Sequence, residues 1–263
     1  MQSEQPILEV RQLTMDFGGI RALDHLDLQV REGEIVALIG PNGAGKTTFF
    51  NCLTGMYRPT GGDLLLTPPG KETRRLNGMK PNKVTRQGLA RTFQNIRLFP
   101  NMTVLENVMI GRHCRTRAKV LGAIFRDRRT RREEEEIVAF SYAILEKIGL
   151  AGVVNEYAKN LPYGQQRRLE IARALATEPI MLLLDEPAAG MNPQETRELD
   201  ELITRIRDEG LSILLIEHDM KLVMSLSDHI FVMDYGKKIA EGSPEEVRAN
   251  PAVIKAYLGE SDA

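Results

Sequence analysis

Several separated sets of residues in this chain are of types that could act on a phosphate ester. The first runs Gly40-Pro41-Asn42-Gly43-Ala44-Gly45-Lys46-Thr47-Thr48. It satisfies G-x-x-x-x-G-K-[ST], which ordinary residue frequencies produce in roughly one chain in a hundred of this length. The glycines let the backbone curl until several N–H groups point into one concavity, and a following helix adds partial positive charge. Lys46 can then reach β- and γ-phosphates, and the Thr47 hydroxyl can serve Mg²⁺. A tight turn without a ligand would explain the glycines, but not the Lys-Thr pair among them. The second set is Asp185-Glu186, directly after an apolar run. One carboxylate there can hold Mg²⁺ and the other can orient water. A third is His218, also after an apolar run, which could donate to a γ-phosphate. Two single residues join them. Gln94 could contact Mg²⁺ or water, though a glutamine there is also an ordinary loop residue. Phe17 could stack on a base, or serve as a core aromatic.

The elements that must position these groups can be read from periodicity. Ile35 to Ile39, Ile180 to Leu184 and Leu211 to Ile216 are short apolar runs, as expected of buried strands. Each ends in one of the polar sets, and ligand contacts gather at the carboxyl ends of such strands. Gly88 to Gln94 reads as a further strand. Ile7 to Val30 alternates apolar and polar residues around Phe17-Gly18-Gly19, which predicts an antiparallel pair, with a short strand at Asp63 to Leu66. Residues 67–82 read as a surface loop. Thr103 with Glu106 is a capping box opening a helical stretch to about Lys147. Pro162 stands just before a helix containing Leu169, Ala172 and Leu175 on one face, flanked by arginines. Asn192-Pro193 opens another helix, ended by Gly210. A strand pair (Ile230 to Asp234, Lys237 to Glu241) and a helical segment from Ser243 to about Leu258 close the chain.

Composition narrows the class. The 263 residues are 42% hydrophobic and 27% charged, an ordinary globular balance. Lysine and arginine number 35 against 36 aspartates and glutamates, so no global charge argues for nucleic acid. Cys52 and Cys114 offer no metal spacing and no disulfide framework, which suits a reduced compartment. The N-terminus lacks a signal peptide's pattern, and no apolar run is long enough to span a bilayer. Between Arg112 and Arg132 stand nine basic residues and one acid, followed by Glu133 to Glu136. A solvated helix with pairs such as Arg129 with Glu133 accounts for this. A basic surface near lipid headgroups, with the apolar patch Val120 to Phe125, is the alternative.

In order and spacing these residues resemble the ATP-binding cassette (ABC) ATPase family, over essentially the full length. Phe17 matches the adenine-stacking aromatic, Gly40 to Thr48 the Walker A loop and Gln94 the Q-loop. Leu161-Pro162-Tyr163-Gly164-Gln165 stands at the signature position. Ile180 to Glu186 matches Walker B with its catalytic glutamate, and His218 the switch histidine. The resemblance implies an α/β P-loop NTPase fold: a RecA-like core with an antiparallel β subdomain and a helical subdomain, forming one ABC nucleotide-binding domain. Core and β subdomain would occupy about residues 1–94 and 176–263, and the helical subdomain about 95–175. It further implies ATP and Mg²⁺ as ligands, with Thr47, Gln94 and Asp185 around the metal and Glu186, His218 and Gln94 in catalysis. Each site would pair one chain's Walker loops with another chain's signature.

Two departures from the family pattern bear on that pairing. The usual Leu-Ser-Gly-Gly-Gln reads Leu-Pro-Tyr-Gly-Gln, so Pro162 lacks the serine hydroxyl while Gly164 and the helix N-terminus remain. The loop after Walker B ends Ala189-Gly190-Met191-Asn192 where Ser-Ala-Leu-Asp is usual. Both variants, with Ala256-Tyr257-Leu258-Gly259-Glu260, look like the ATPase subunits of branched-chain amino acid importers. By that likeness the chain would sit at the cytoplasmic face of the inner membrane. Its partners would be a second ATPase subunit, in a heterodimer, two membrane permeases and, indirectly, a periplasmic binding protein. Asn95 to Pro100 would meet the permease. An exporter's motor, such as one moving lipopolysaccharide, shares this chemistry. A soluble cassette acting on ribosomes or DNA usually carries two cassettes or long coiled coils. A binding-only regulatory subunit would not need Glu186 and His218.

Overall fold

In the computed structural model, which describes residues 6–115 and 128–258, the alternating N-terminal stretch forms β1 (Leu8–Phe17) and β2 (Ile20–Val30). They pair antiparallel through a turn at Gly18-Gly19. β3 (Ile35–Ile39) follows, then α1 (Lys46–Leu53), β4 (Gly61–Leu66) and β5 (Arg74–Arg75). β2, β1, β4 and β5 make one antiparallel sheet in that order. Next come α2 (Pro81–Gln87), β6 (Leu89–Arg91), α3 (Val104–Arg112), α4 (Arg128–Lys147) and α5 (Tyr163–Leu175). The chain then adds β7 (Met181–Asp185), α6 (Pro193–Asp208), β8 (Ser212–Ile216) and α7 (Met220–Leu226). β9 (His229–Asp234), β10 (Lys237–Gly242), α8 (Pro244–Ala249) and α9 (Pro251–Leu258) complete it.

The second sheet is ordered β10-β9-β3-β8-β7-β6, parallel except for the β9–β10 hairpin. β3, β7 and β8 bury every residue, as parallel strands do when both sheet faces are covered. Strand side chains alternate between faces. Val36, Leu38, Leu183 and Leu214 therefore meet α1 and the antiparallel sheet through Phe49, Phe50 and Leu28. Ile35, Leu182, Leu184, Ile213 and Leu215 meet α5 and α6 on the other face. α6 presents Leu199, Leu202, Ile203 and Ile206, an i, i+3, i+4, i+7 stripe, and each such side chain contributes about 1.5–3 kcal/mol on burial.

The local punctuation explains where elements begin. Thr103, Asn192 and Ser243 each accept from the third backbone N–H of their helix, while Glu106, Glu195 and Glu246 reach back. Three readings need correction. The stretch expected to be a loop holds β5 and the start of α2, because Pro81 at a first helical position opens a helix rather than blocking one. The strand expected to reach Gln94 leaves the sheet after Arg91. The closing helix is two, because Pro251 has no N–H to continue α8 past Asn250. In the charged tract, Arg132 lies 3.5 Å from Glu136, both widely exposed, as a solvated helix face predicts. The apolar patch Val120 to Phe125 and the Arg129 side chain lie outside the described residues. Among the described residues no helix is long and apolar enough to cross a membrane.

Candidate functional site

Because β3, β6, β7 and β8 run parallel, their carboxyl ends lie on one edge of the sheet, and the four polar sets follow those ends. The loop after β3 turns at Gly40, whose φ is 150°; a Cβ there would lie 2.0 Å from the Met233 carbonyl oxygen. Gly45 takes φ 103° as the N-cap of α1, so only glycine suits both bends. Pro41, Ala44 and Lys46 are buried, while Asn42, Gly43 and Thr47 face outward. The Lys46 ammonium donates to the Gly40 and Pro41 carbonyls at 2.6 and 2.9 Å, curled over its own loop. Thr47 and Thr48 stand in the first turn of α1, whose N–H groups and dipole attract an anion.

Next to this loop the structure assembles a group the sequence scattered over more than a hundred positions. Glu186 follows β7, and its backbone N–H donates to Ile216 at the end of β8. One Glu186 oxygen accepts from the Gln94 side-chain amide at 2.6 Å, and the other from His218 Nε2 at 2.7 Å. Glu186 also takes φ 47°. A non-glycine residue in that region stores on the order of 1–3 kcal/mol and persists where its surroundings hold it. The result is a half-buried carboxylate fixed on both oxygens, at the same carboxyl edge of the sheet as the phosphate loop. Such a group can take a proton from water.

Asp185, one residue back, is buried, and its Oδ2 accepts from Arg91 at 2.6 Å. Hard oxygen donors of this kind (hydroxyl, carboxylate and amide) suit Mg²⁺, which takes one or two protein ligands beside phosphates and water. Among the described residues no cluster of three or more His, Cys, Asp or Glu is placed to hold a metal ion. Phe17 ends β1 half-exposed, with Tyr57 edge-on at 5.2 Å.

The signature stretch meets the loop after Glu186. Leu161 is buried, Pro162 is the N-cap of α5, and Tyr163 is exposed. The Tyr163 hydroxyl donates to the Ala189 carbonyl at 2.9 Å, in the loop after Glu186. Gly164 is buried against Glu195, whose carboxylate a Cβ would meet at 2.7 Å, and Gln165 is half-buried. Asn192, in the loop that departs from the family pattern, spends its side-chain oxygen on the N–H groups of Gln194 and Glu195.

Four residues of this region escaped the sequence reading. Arg167, a flanking arginine by periodicity, is wholly buried and donates to the Phe93 and Gln94 carbonyls at 2.6 and 2.8 Å and to Glu170 at 2.9 Å. Glu170 in turn accepts from the Arg97 N–H. Burial pushes its carboxyl up, against the pull of the Arg97 N–H, Arg167 and Arg173. Glu217 accepts from the N–H groups of Ala188 and His218, and burial likewise raises its carboxyl. Arg91 is the fourth. Only one signal preceded them: a charged residue inside an otherwise apolar strand or helix face must have a buried partner.

Known proteins resemble the chain throughout. A family model described as ABC transporter matches residues 23–189, and one described as branched-chain amino acid ATP-binding cassette transporter matches 237–263. The high-affinity branched-chain amino acid transport ATP-binding protein LivG of Salmonella typhimurium is 51% identical over 258 residues, covering 98% of this chain and 99% of that protein. The solved ADP conformation of an ATP-binding cassette of an ABC transporter is 32% identical, with a TM-score of 0.83 over 97% of this chain and 99% of the other. A dimeric bacterial ABC transporter cassette is 25% identical, with a TM-score of 0.74 over 90% and 98%.

Proposed function

Since this chain belongs to the ABC transporter family, we propose that it hydrolyses ATP to drive import of branched-chain, hydrophobic amino acids through membrane permeases. The observation that carries the chemistry is the Glu186 carboxylate held between Gln94 and His218 at the edge of the phosphate loop. In this reading the loop amides and Lys46 bind the phosphates and Phe17 stacks on adenine. Thr47, Asp185 and Gln94 serve Mg²⁺, Asp185 through water. The metal, when bound, neutralises charge on the transferring phosphoryl group. Glu186 takes the proton of the attacking water, and His218 steadies the γ-phosphate. The amino-acid substrate is inferred from the LivG relative and the C-terminal family match.

The assembly is read in the same way. Residues 1–94 and 176–263 form the core and 95–175 the helical part of one cassette, and two cassettes close head to tail, the partner being a second, different ATPase subunit. The signature turn then supplies Gly164 and the α5 N-terminus to the partner's nucleotide. Asn95 to Pro100 meet the permease. Supporting this, exposed Phe99 borders an open groove of about 570 Å³ shared with Arg173 and Ile110, a surface against which side chains of a permease segment can pack. The chain would thus be held at the cytoplasmic face of the inner membrane by its partners, with a periplasmic binding protein delivering substrate.

The test is transport in proteoliposomes containing the chain, its partner ATPase and both permeases, with ATP on the cassette side. Leucine, isoleucine or valine presented by the binding protein should move toward the cassette side and stimulate ATP hydrolysis. Movement in the opposite direction, or stimulation by a lipid and not by amino acids, would overturn the importer reading.

A further inference from the structure

Arg91 is the last residue of β6 and lies three positions before Gln94. Its side chain is 6% exposed and that of Asp185 7%, so this is a buried ion pair, not a surface one. The guanidinium is held from several sides. One nitrogen donates to Asp185 Oδ2 at 2.6 Å and another to Asn51 Oδ1 at 2.7 Å. The rings of Phe50 and Phe93 lie 5.3 and 5.1 Å from its central carbon. Asn51 belongs to α1, the helix that begins at Lys46, so the arginine ties the phosphate-loop helix to the strand end carrying Asp185.

We propose that Arg91 is a resident counterion of the metal site: its guanidinium competes with Mg²⁺ for the Asp185 carboxylate and so sets how much Mg²⁺ nucleotide binding requires. Two physical demands lead there. A buried carboxylate needs a partner, and Arg91 supplies one. A divalent cation served by the same carboxylate meets a like charge a few ångströms away, in surroundings that screen poorly. For the metal to use Asp185, the guanidinium must give way, and Asn51 with the two aromatic rings offers it a place to remain. Arg91 is a positioning residue acting through Asp185, and the inference rests on the reading of Asp185 as a metal contact.

The experiment measures ATP affinity of the full chain by titration calorimetry, from excess EDTA to 10-fold excess Mg²⁺ over nucleotide, for the wild type, Arg91→Met and Asp185→Asn. Arg91→Met should leave the affinity in EDTA within about two-fold. It should lower the Mg²⁺ concentration giving half the enhancement by about five- to ten-fold, the factor a neighbouring charge commonly imposes. A Mg²⁺ requirement within two-fold of wild type, or a higher one, would overturn the proposal. Should Arg91→Met fail to fold, Arg91→Gln keeps a donor for Asn51 without the charge and is read the same way. Arg91→Lys, which keeps the charge, should retain the wild-type Mg²⁺ requirement. Asp185→Asn separates the two readings: full Mg²⁺ enhancement in that variant would remove Asp185 from the metal site, while its loss with an unaltered Arg91→Met would sink the counterion alone. Mg²⁺ without nucleotide provides a second readout, since it should raise the melting temperature of Arg91→Met more than that of wild type.

Discussion

The phosphate-loop edge and the signature turn are built in opposite ways. At the edge, functional side chains are already engaged within the chain: Lys46 with its loop, Glu186 with Gln94 and His218, Asp185 with Arg91. At the signature, the first turn of α5 has no side-chain cap, and Pro162 and Tyr163 face outward. Its inner side is different again, with Arg167 and Glu170 gripping the backbone around Gln94. The contrast teaches that the phosphate-loop edge is organised by side chains of its own chain, while the signature turn, in the function proposed above, is completed by a second cassette. The same helix that would present its N-terminus to a partner holds the backbone around Gln94 of its own chain through Arg167 and Glu170.

The largest break in that contrast comes from the organised half. Glu186→Gln keeps the size and one acceptor but cannot take a proton. ATP turnover in the assembled transporter should fall by roughly 10²–10⁴-fold, the usual share of a general base, with ATP affinity of the isolated chain nearly unchanged. Steady-state phosphate release and equilibrium ATP binding measure the two. Near-normal turnover would mean that the carboxylate fixed by Gln94 and His218 is not the base.

This half was also the more legible in sequence, for a physical reason. A phosphate loop is local: its glycines, lysine and threonine lie within nine residues, and a strand must precede and a helix follow them. Asp185, Glu186 and His218 were legible because each caps an apolar run. Arg91 and Arg167 were not, because their partners lie 94 and 74 positions away. A basic residue beside an apolar stripe reads as solvated until the fold brings its acceptor. Glu217 is hidden in the sequence for the same reason, since its tie to Ala188 crosses from the end of β8 to the loop after β7. The altered signature was visible at once, yet the Tyr163 bond to Ala189, which couples it to the loop after Glu186, needed the fold.

Arg167→Met sharpens the comparison from the other side. It removes one member of a wholly buried pair and strands the Phe93 and Gln94 carbonyls and the Glu170 carboxylate. Breaking such a pair typically destabilises by about 3–5 kcal/mol, which for a domain of this size lowers the melting temperature on the order of 10 °C. Calorimetry measures this. ATP affinity should change little, because the phosphate loop and Phe17 are untouched. If instead affinity collapsed while the melting temperature held, the inner side of α5 would belong to the nucleotide site and the two regions would not be separate.

The smallest effect is a slope with pH, and it isolates the burial of Glu170 from its hydrogen bonds. Burial raises this carboxyl above its ordinary value near 4.3, outweighing the Arg97 N–H, Arg167, Arg173 and the Phe93 N–H, all of which favour the charged form. The native state therefore binds the proton more tightly than the unfolded chain does. Its contribution to stability is present in full below the unfolded value and is lost as pH rises through the raised native value. Glu170→Gln abolishes that titration while leaving an oxygen to accept from Arg167. Across urea unfolding series from pH 4 to 7, the stability of wild type relative to Glu170→Gln should decline as pH rises, and level off above the native carboxyl's value. A difference that grew with pH would mean that the charged carboxylate gains more from Arg167 and the two N–H groups than it loses to burial. The inner side of α5 would then be held by electrostatic attraction, as the phosphate-loop edge is, and not in spite of desolvation.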